Sequence, residues 1–280
     1  MAEVIDRVLA SPSPTAPQRS VAAEEAIRST LRKQRLQSIA LRILSIVLFI
    51  AAWQVFSAVP WAIQIPSPWD ALRAALQLDP EIFLRDIALS TYRVGLGFVL
   101  AAAVGIPLGI CIGYSAFIRD LVFPSVELFR PVPPIAWIPL AILFFPKMEL
   151  MIVFLTFYGA FFPIVYNTVA GVSNIRSTYI RAGKSLGASE WALFWHVVLP
   201  AALPTIFTGL YIAIGVAWLM VVAGEMIANK GGIGAMTWQA YQTTRYPRIF
   251  VGMATIGVVG YLSSLVVRLI SRAVVRWEQQ

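Results

Sequence analysis

Charge is scarce in this chain. Of its 280 residues only 13% are Asp, Glu, Lys or Arg, where a soluble domain carries roughly 25%; 59% are hydrophobic and the mean hydropathy is +0.75. That shortage excludes an ordinary water-soluble domain and makes a membrane protein the default reading. One cysteine, Cys111, excludes an intramolecular disulfide and a cysteine-based metal site; set in an apolar run, it reads as a small buried hydrophobe. One histidine, His196, leaves too few ligands for a metal cluster. No G-x4-G-K-[ST] occurs, so the chain has no phosphate loop with which to hydrolyse ATP. Nor is there a His/Asp/Glu or nucleophile cluster, which sets aside a membrane-embedded enzyme.

What the chain has is six long apolar runs, roughly 39–59, 87–114, 121–145, 150–172, 204–227 and 249–270. Each crosses or nearly crosses a hydrocarbon core of about 30 Å, so the fold expected is an all-α membrane protein of about six transmembrane helices. The net charge of +8 is carried at the ends of these runs and not in a stripe with interleaved aromatics, which argues against nucleic acid. With the N-terminus inside, 14 Lys and Arg fall on the cytoplasmic side and 7 outside, and this bias places both termini in the cytoplasm. Residues 1–38 read as a cytoplasmic tail, because Glu3, Asp6, Glu24 and Glu25 fit neither a signal nor a transit peptide. Within it, Ser11 to Pro17 is expected to be disordered and Val21 to Gln37 to form a surface amphipathic helix. Residues 39–276 form the membrane domain.

Small residues recur at four-residue spacing in the second run: Gly97, Ala101, Gly105, Gly109, Gly113. They share one helix face and let another helix approach closely. Five prolines (Pro124, Pro131, Pro133, Pro134, Pro139) crowd the third run, which therefore needs cover from protein or a water-filled cavity. Outside, "IPSPWDALRAALQ" starts a short surface helix, with Ser67 a cap and Pro68 its first residue. "NKGGIGAMTWQAYQ" reads as a glycine turn and a second such helix. Glu127, Arg130 and Glu225 lie within spans, where a lone charge costs at least about 2.5–3.5 kcal/mol, so each must face protein or water. Glu127 and Arg130, three apart, can pair along one face, and either a structural ion pair or anion passage explains them. Arg130 is the better anion contact, and Glu225 reads as a gate or packing partner. Arg93, near an outer end, is expected to snorkel.

Between the fourth and fifth runs lies "RAGKSLGASEWALFWHVVLP", residues 181–200, a polar interruption with apolar tips. Asn174 to Leu186 has helical character, Gly187 can end that helix in a left-handed cap, and Ser189 can cap a second short helix. A merely solvated loop has no use for Leu186, Trp191 and Phe194. The loop 173–200 is therefore expected to be a rigid knob that docks a soluble partner.

The segment resembles the E-A-A-x3-G-x9-I-x-L-P signature of permease subunits of bacterial ATP-binding-cassette importers. Ala182, Gly187, Leu199 and Pro200 match, Val197 stands in for the Ile, Arg181 replaces the Glu and Gly183 the second Ala. "VELFRPVPPIAWIPLAILFF", "STYRVGLGF" and "GLYIAIGVAWLMVVAGEMI" are similar to the nitrate/sulfonate/taurine/bicarbonate branch. The resemblance implies the type I importer permease fold, with ATPase coupling through Arg181, Ala182, Gly183, Leu186, Gly187, Ala188, Leu199 and Pro200. It implies as partners a second copy of the permease, two cytoplasmic ATPase subunits that use ATP and Mg, an extracytoplasmic binding protein, and membrane lipid. No cofactor or metal is expected on this chain itself. A secondary transporter of a small anion is the rival reading; it wants coupling acids in broken helices and a repeat, and only the third run is broken.

Overall fold

The computed structural model describes residues 16–59 and 65–275. The described residues are helical throughout, joined by turns. The chain divides into two compact units, Met1–Pro68 and Trp69–Gln280. The first holds α1, Ala16–Ser57, whose segment Leu36–Ser57 is long and apolar enough to cross a membrane. α1 runs without a break through residue 38, where a separate tail was expected to end. The polar stretch and the apolar run are each good helix formers, and no Pro or Gly lies between them to separate them. Residues 11–15 of the expected disordered stretch lie outside the described residues.

Apart from Pro68, the first residue of α2, the second unit contains α2 (Pro68–Leu76), α3 (Pro80–Tyr114), α4 (Ala116–Phe129), α5 (Ile138–Phe144), α6 (Met148–Ser173), α7 (Ser177–Ser185), α8 (Glu190–Leu193), α9 (Leu199–Ala228), α10 (Ile233–Gln242) and α11 (Tyr246–Val274). α3, α6, α8 running on into α9, and α11 have the length and composition of membrane spans. α4 and the segment Pro134–Phe144 make a sixth only as a bent pair, broken by 84°. The break falls at Pro131, Pro133 and Pro134, where three missing backbone donors prevent the helix from continuing.

α6 is the centre of the unit, packed along α3 on one side and α9 on the other. The small-residue row of α3 is what lets it approach: Cβ atoms built on Gly97, Gly109 and Gly113 would sit 2.6, 2.6 and 2.7 Å from Thr156, Thr168 and Val172. With Ile164 against Gly105, α6 presents a row at the same four-residue spacing, and the buried Ala160 occupies its second place, between Thr156 and Ile164. Without a hydrophobic drive between helices in lipid, such backbone proximity is a main source of packing energy. Cys111 lies off this face and is exposed, contrary to the expectation of burial. α10 also departs from the surface-helix expectation, since Ile233, Gly234, Ala235, Thr237 and Ala240 are buried.

Candidate functional site

Two places bring together the chemistry-bearing residues: the knob at 177–198 and the interior beside the broken span. In the knob, α7 ends in a Schellman turn. Gly187 has φ +81°, its N–H donates to the Lys184 carbonyl (3.0 Å), and the Ala188 N–H donates to the Gly183 carbonyl (3.0 Å). A residue with a Cβ is strained in that conformation, which is why glycine stands there. Ser189 then caps the next turn, its hydroxyl accepting from Ala192 N–H at 3.2 Å. Leu193 folds back over Gly183, where a Cβ would meet its Cδ2, so the glycine at the second alanine place of the signature makes room for this buried side chain.

The tip is apolar and open, with Leu186 88% and Trp191 71% exposed. Arg181 and Ala182 are exposed on α7, and Gly183, Ala188, Leu199 and Pro200 are half-buried. Lys184 Nζ pairs with Glu190 Oε1 at 2.7 Å across the glycine turn, and the Tyr114 hydroxyl donates to Glu190 Oε2 at 2.9 Å. The hydrogen bond to Glu190 holds the Lys184 ammonium above the usual lysine range, so the pair is intact at neutral pH. The knob is thereby tied to the end of α3. Its second arm is not the separate short helix expected. It continues through a π-helical turn, Phe194–Val198, directly into α9. Pro200 has no N–H and its ring crowds the carbonyl four residues back, and the wider turn accommodates both.

At the opposite ends of α3, α6 and α9 lies a buried polar network that the sequence did not reveal. Arg93, expected to snorkel, is fully buried. It donates to Glu149 through Nε (2.8 Å) and Nη2, to Glu225 Oε1 (2.8 Å), and to the carbonyls of Gly231 (2.9 Å) and Lys230 (3.2 Å). Glu225, also fully buried, accepts in addition from the Ser90 hydroxyl (2.8 and 2.9 Å) and Gly234 N–H (2.9 Å). Asp86 accepts from Gly232 N–H at 2.9 Å, which pins the glycine turn onto α3. The arrangement binds three spans and the 229–232 turn into one clamp. Glu225, expected in the substrate pathway, is enclosed in it.

Glu127 and Arg130 do not pair. Among the described residues the ion pairs are Arg93–Glu149, Arg93–Glu225 and Lys184–Glu190. α4 ends at Phe129, and the Arg130 guanidinium turns across to lie 4.2 Å over the ring of Tyr166 on α6. Both Glu127 and Arg130 are exposed in the single chain. Beside Arg130 is a cavity of about 370 Å³, lined also by Pro134, Tyr166, Asn167 and Ile212. No group of three or more His, Cys, Asp or Glu able to hold a metal occurs among the described residues.

Residues 105–279 match the family described as binding-protein-dependent transport system inner membrane component. The chain is 36% identical over 219 residues to the taurine transport system permease protein of Escherichia coli, covering 76% of this chain and 80% of that one. It is 34% identical over 246 residues to a nitrate import permease protein of Synechocystis sp., with 84% and 89% covered. To the bicarbonate transport system permease protein of Synechococcus elongatus it is 35% identical over 258 residues, with 87% and 92% covered. Among solved structures its fold is like that of the inward-facing MetNI methionine ABC transporter (TM-score 0.62, 19% identity, 70% of this chain and 97% of that one). A bacterial ABC transporter that imports alginate is also similar (TM-score 0.59, 18% identity, 91% and 99% covered). The chain belongs to the binding-protein-dependent inner-membrane component family, as an ATP-binding-cassette importer permease of the branch that holds these taurine, nitrate and bicarbonate permeases.

Proposed function

We propose that this chain, paired with a second copy, forms the membrane pore of an ATP-driven importer for a small oxyanion, with taurine or an alkanesulfonate favoured and nitrate or bicarbonate next. Two separate ATPase subunits grip the knob, and an extracytoplasmic binding protein delivers the anion. The Lys and Arg bias places the knob and both termini in the cytoplasm. Arg130 is the pathway cation.

The observation that carries the reading is the knob itself: a glycine-hinged turn with Leu186 and Trp191 exposed, continuous with α9 and bonded to α3. Apolar tips on a polar, rigid loop are costly to leave in water unless a protein partner covers them. A knob joined to two spans at once passes its displacement into the bundle. The relatives' names support the anion class.

The test is ATP-driven uptake in proteoliposomes of the permease with its ATPase, supplied with binding protein loaded with taurine, alkanesulfonate, nitrate or bicarbonate. Uptake of one or more of these that stops without ATP is expected. Gly187→Val places a Cβ in the left-handed region at a strain of about 1–2 kcal/mol, too little to unfold the span bundle. The variant is expected to insert and pair normally while losing ATPase or uncoupling hydrolysis from uptake. Normal uptake with a full complement of ATPase in Gly187→Val would mean that the knob is not the coupling element.

A further inference from the structure

We propose that the cleft between α9 and α11, at the knob end of the spans, is a headgroup site for an anionic phospholipid, with Arg268 as its cation. The cleft holds about 240 Å³, and its lining includes Phe207, Thr208 and Tyr211 of α9 and Arg268 and Ser271 of α11. Its depth is that of a leaflet's phosphates. Residues 249–267 of α11 carry no charge, and from Arg248 to Arg268 the helix rises about 30 Å, the thickness of the hydrocarbon core. The two arginines therefore stand at opposite interfaces. On α9, Tyr211 lies about 26 Å from Ala228 at the clamp end, which puts it at the same interface as Arg268. Tyrosine favours that level.

The charge of the cleft is unopposed. The Arg268 guanidinium carbon lies 5.2 Å from the Tyr211 ring centroid, and Nη2 donates to the Tyr211 hydroxyl at 2.9 Å. These contacts orient the fork without neutralising it, and Arg268 has no ion pair among the described residues. Unlike the enclosed Arg93, Arg268 is exposed, so its remaining N–H donors can be reached by a phosphate. Arg272, also exposed, follows one turn on along the same face, and Arg276 repeats the spacing in the sequence. Glu225 is the one acid in residues 191–277, and the Arg93 clamp encloses it at the other end of α9. Basic clefts between spans at the cytoplasmic side are suited to anionic headgroups. The volume argues for a lipid over a free anion, because it falls below the roughly 300–1,000 Å³ of sites that enclose a whole small molecule. A ligand that enters by its headgroup alone fits. Phe207 and the exposed Tyr261, seven residues before Arg268 on the same face, offer apolar surface to its acyl chains. A headgroup held there bridges α9, which carries the knob, to α11.

The test titrates the detergent-solubilised permease–ATPase complex with phosphatidylglycerol or phosphatidylcholine and reads retained lipid by native mass spectrometry. Only the naming of the leaflet rests on the cytoplasmic placement of the knob; binding in detergent does not depend on orientation. Wild type is expected to hold phosphatidylglycerol in preference to phosphatidylcholine. Arg268→Gln is expected to weaken phosphatidylglycerol binding about fivefold, which corresponds to about 1 kcal/mol for one basic residue at a membrane surface. Lys147→Gln, which removes an exposed charge at the opposite end of the spans, is expected to leave it unchanged. If Arg268→Gln fails to assemble, Ser271→Asp decides, since a carboxylate beside Arg268 supplies its counter-charge and should abolish the preference. Equal retention of both lipids by wild type, or wild-type binding of phosphatidylglycerol by Arg268→Gln or Ser271→Asp, overturns the site. Displacement of phosphatidylglycerol by millimolar inorganic phosphate or taurine would assign the cleft to a soluble anion and overturn the lipid claim.

Discussion

Replacing Arg93 strands Glu225, a fully buried carboxylate that loses its counter-charge, and exposes the Lys230 and Gly231 carbonyls to the same loss. Breaking a buried pair from one side costs about 3–5 kcal/mol. Arg93→Leu is therefore expected to lower the thermal unfolding midpoint of the detergent-solubilised permease and its yield. Adding Glu225→Leu removes the stranded charge and is expected to recover part of the loss, since paired buried charges exchange for apolar side chains at small net cost. A double variant no more stable than Arg93→Leu would show that Arg93 acts through its other partners. Sequence reasoning misplaced this residue for a definite cause. Arg93 lies near a predicted span end with a long side chain, as a snorkelling arginine does, while its partners stand 56 and 132 residues away along the chain. Nothing local records such a pairing. The one local pair that spacing offered, Glu127 with Arg130, does not form: Arg130 is the helical cap of α4, but its guanidinium lies over the Tyr166 ring instead.

The knob's helical elements are linked by few and weak bonds, and that governs what their loss should do. Lys184–Glu190 is largely exposed and screened by water, so it adds little to stability. The Tyr114–Glu190 hydrogen bond matters more for direction, because it joins the knob to α3 while the π-helical turn joins it to α9. Combining Tyr114→Phe with Glu190→Gln is expected to leave ATPase bound and the bundle folded. Anion transported per ATP hydrolysed should fall about fivefold, the scale of one hydrogen bond of about 1 kcal/mol. An unchanged ratio would put transmission through α9 alone. Several of these element features were legible in sequence because their signals are local. Gly187 and Ser189 sit at the cap positions their chemistry favours, the α3 glycine row repeats every four residues, and three prolines within four residues break the third span. The continuity of α8 into α9 was not, since Pro200 reads as a terminator unless a wider turn absorbs it.

For the whole molecule, two sites stand at different depths on one packed frame. The knob occupies one end of α3, α6 and α9, the Arg93 clamp holds the other, and the Arg130 cavity lies between them beside the broken span. Because α6 packs closely on both α3 and α9, displacement at the knob has a short path to the cavity wall at Tyr166 and Asn167. The family follows from residues 105–279, but the cargo does not, because relatives named for taurine, nitrate and bicarbonate are all about equally similar. The central claim is that the loop around Gly187 meets the ATPase on the cytoplasmic side. Its most direct measurement is site-specific cross-linking of the intact complex in membranes, in a Cys111→Ser background with one cysteine at a time. Leu186→Cys should capture the ATPase subunit, and Thr243→Cys, at the opposite end of the spans, should capture none and should label from outside. Capture of the ATPase from Thr243→Cys, or no capture from Leu186→Cys in a complex that hydrolyses ATP, would contradict the account.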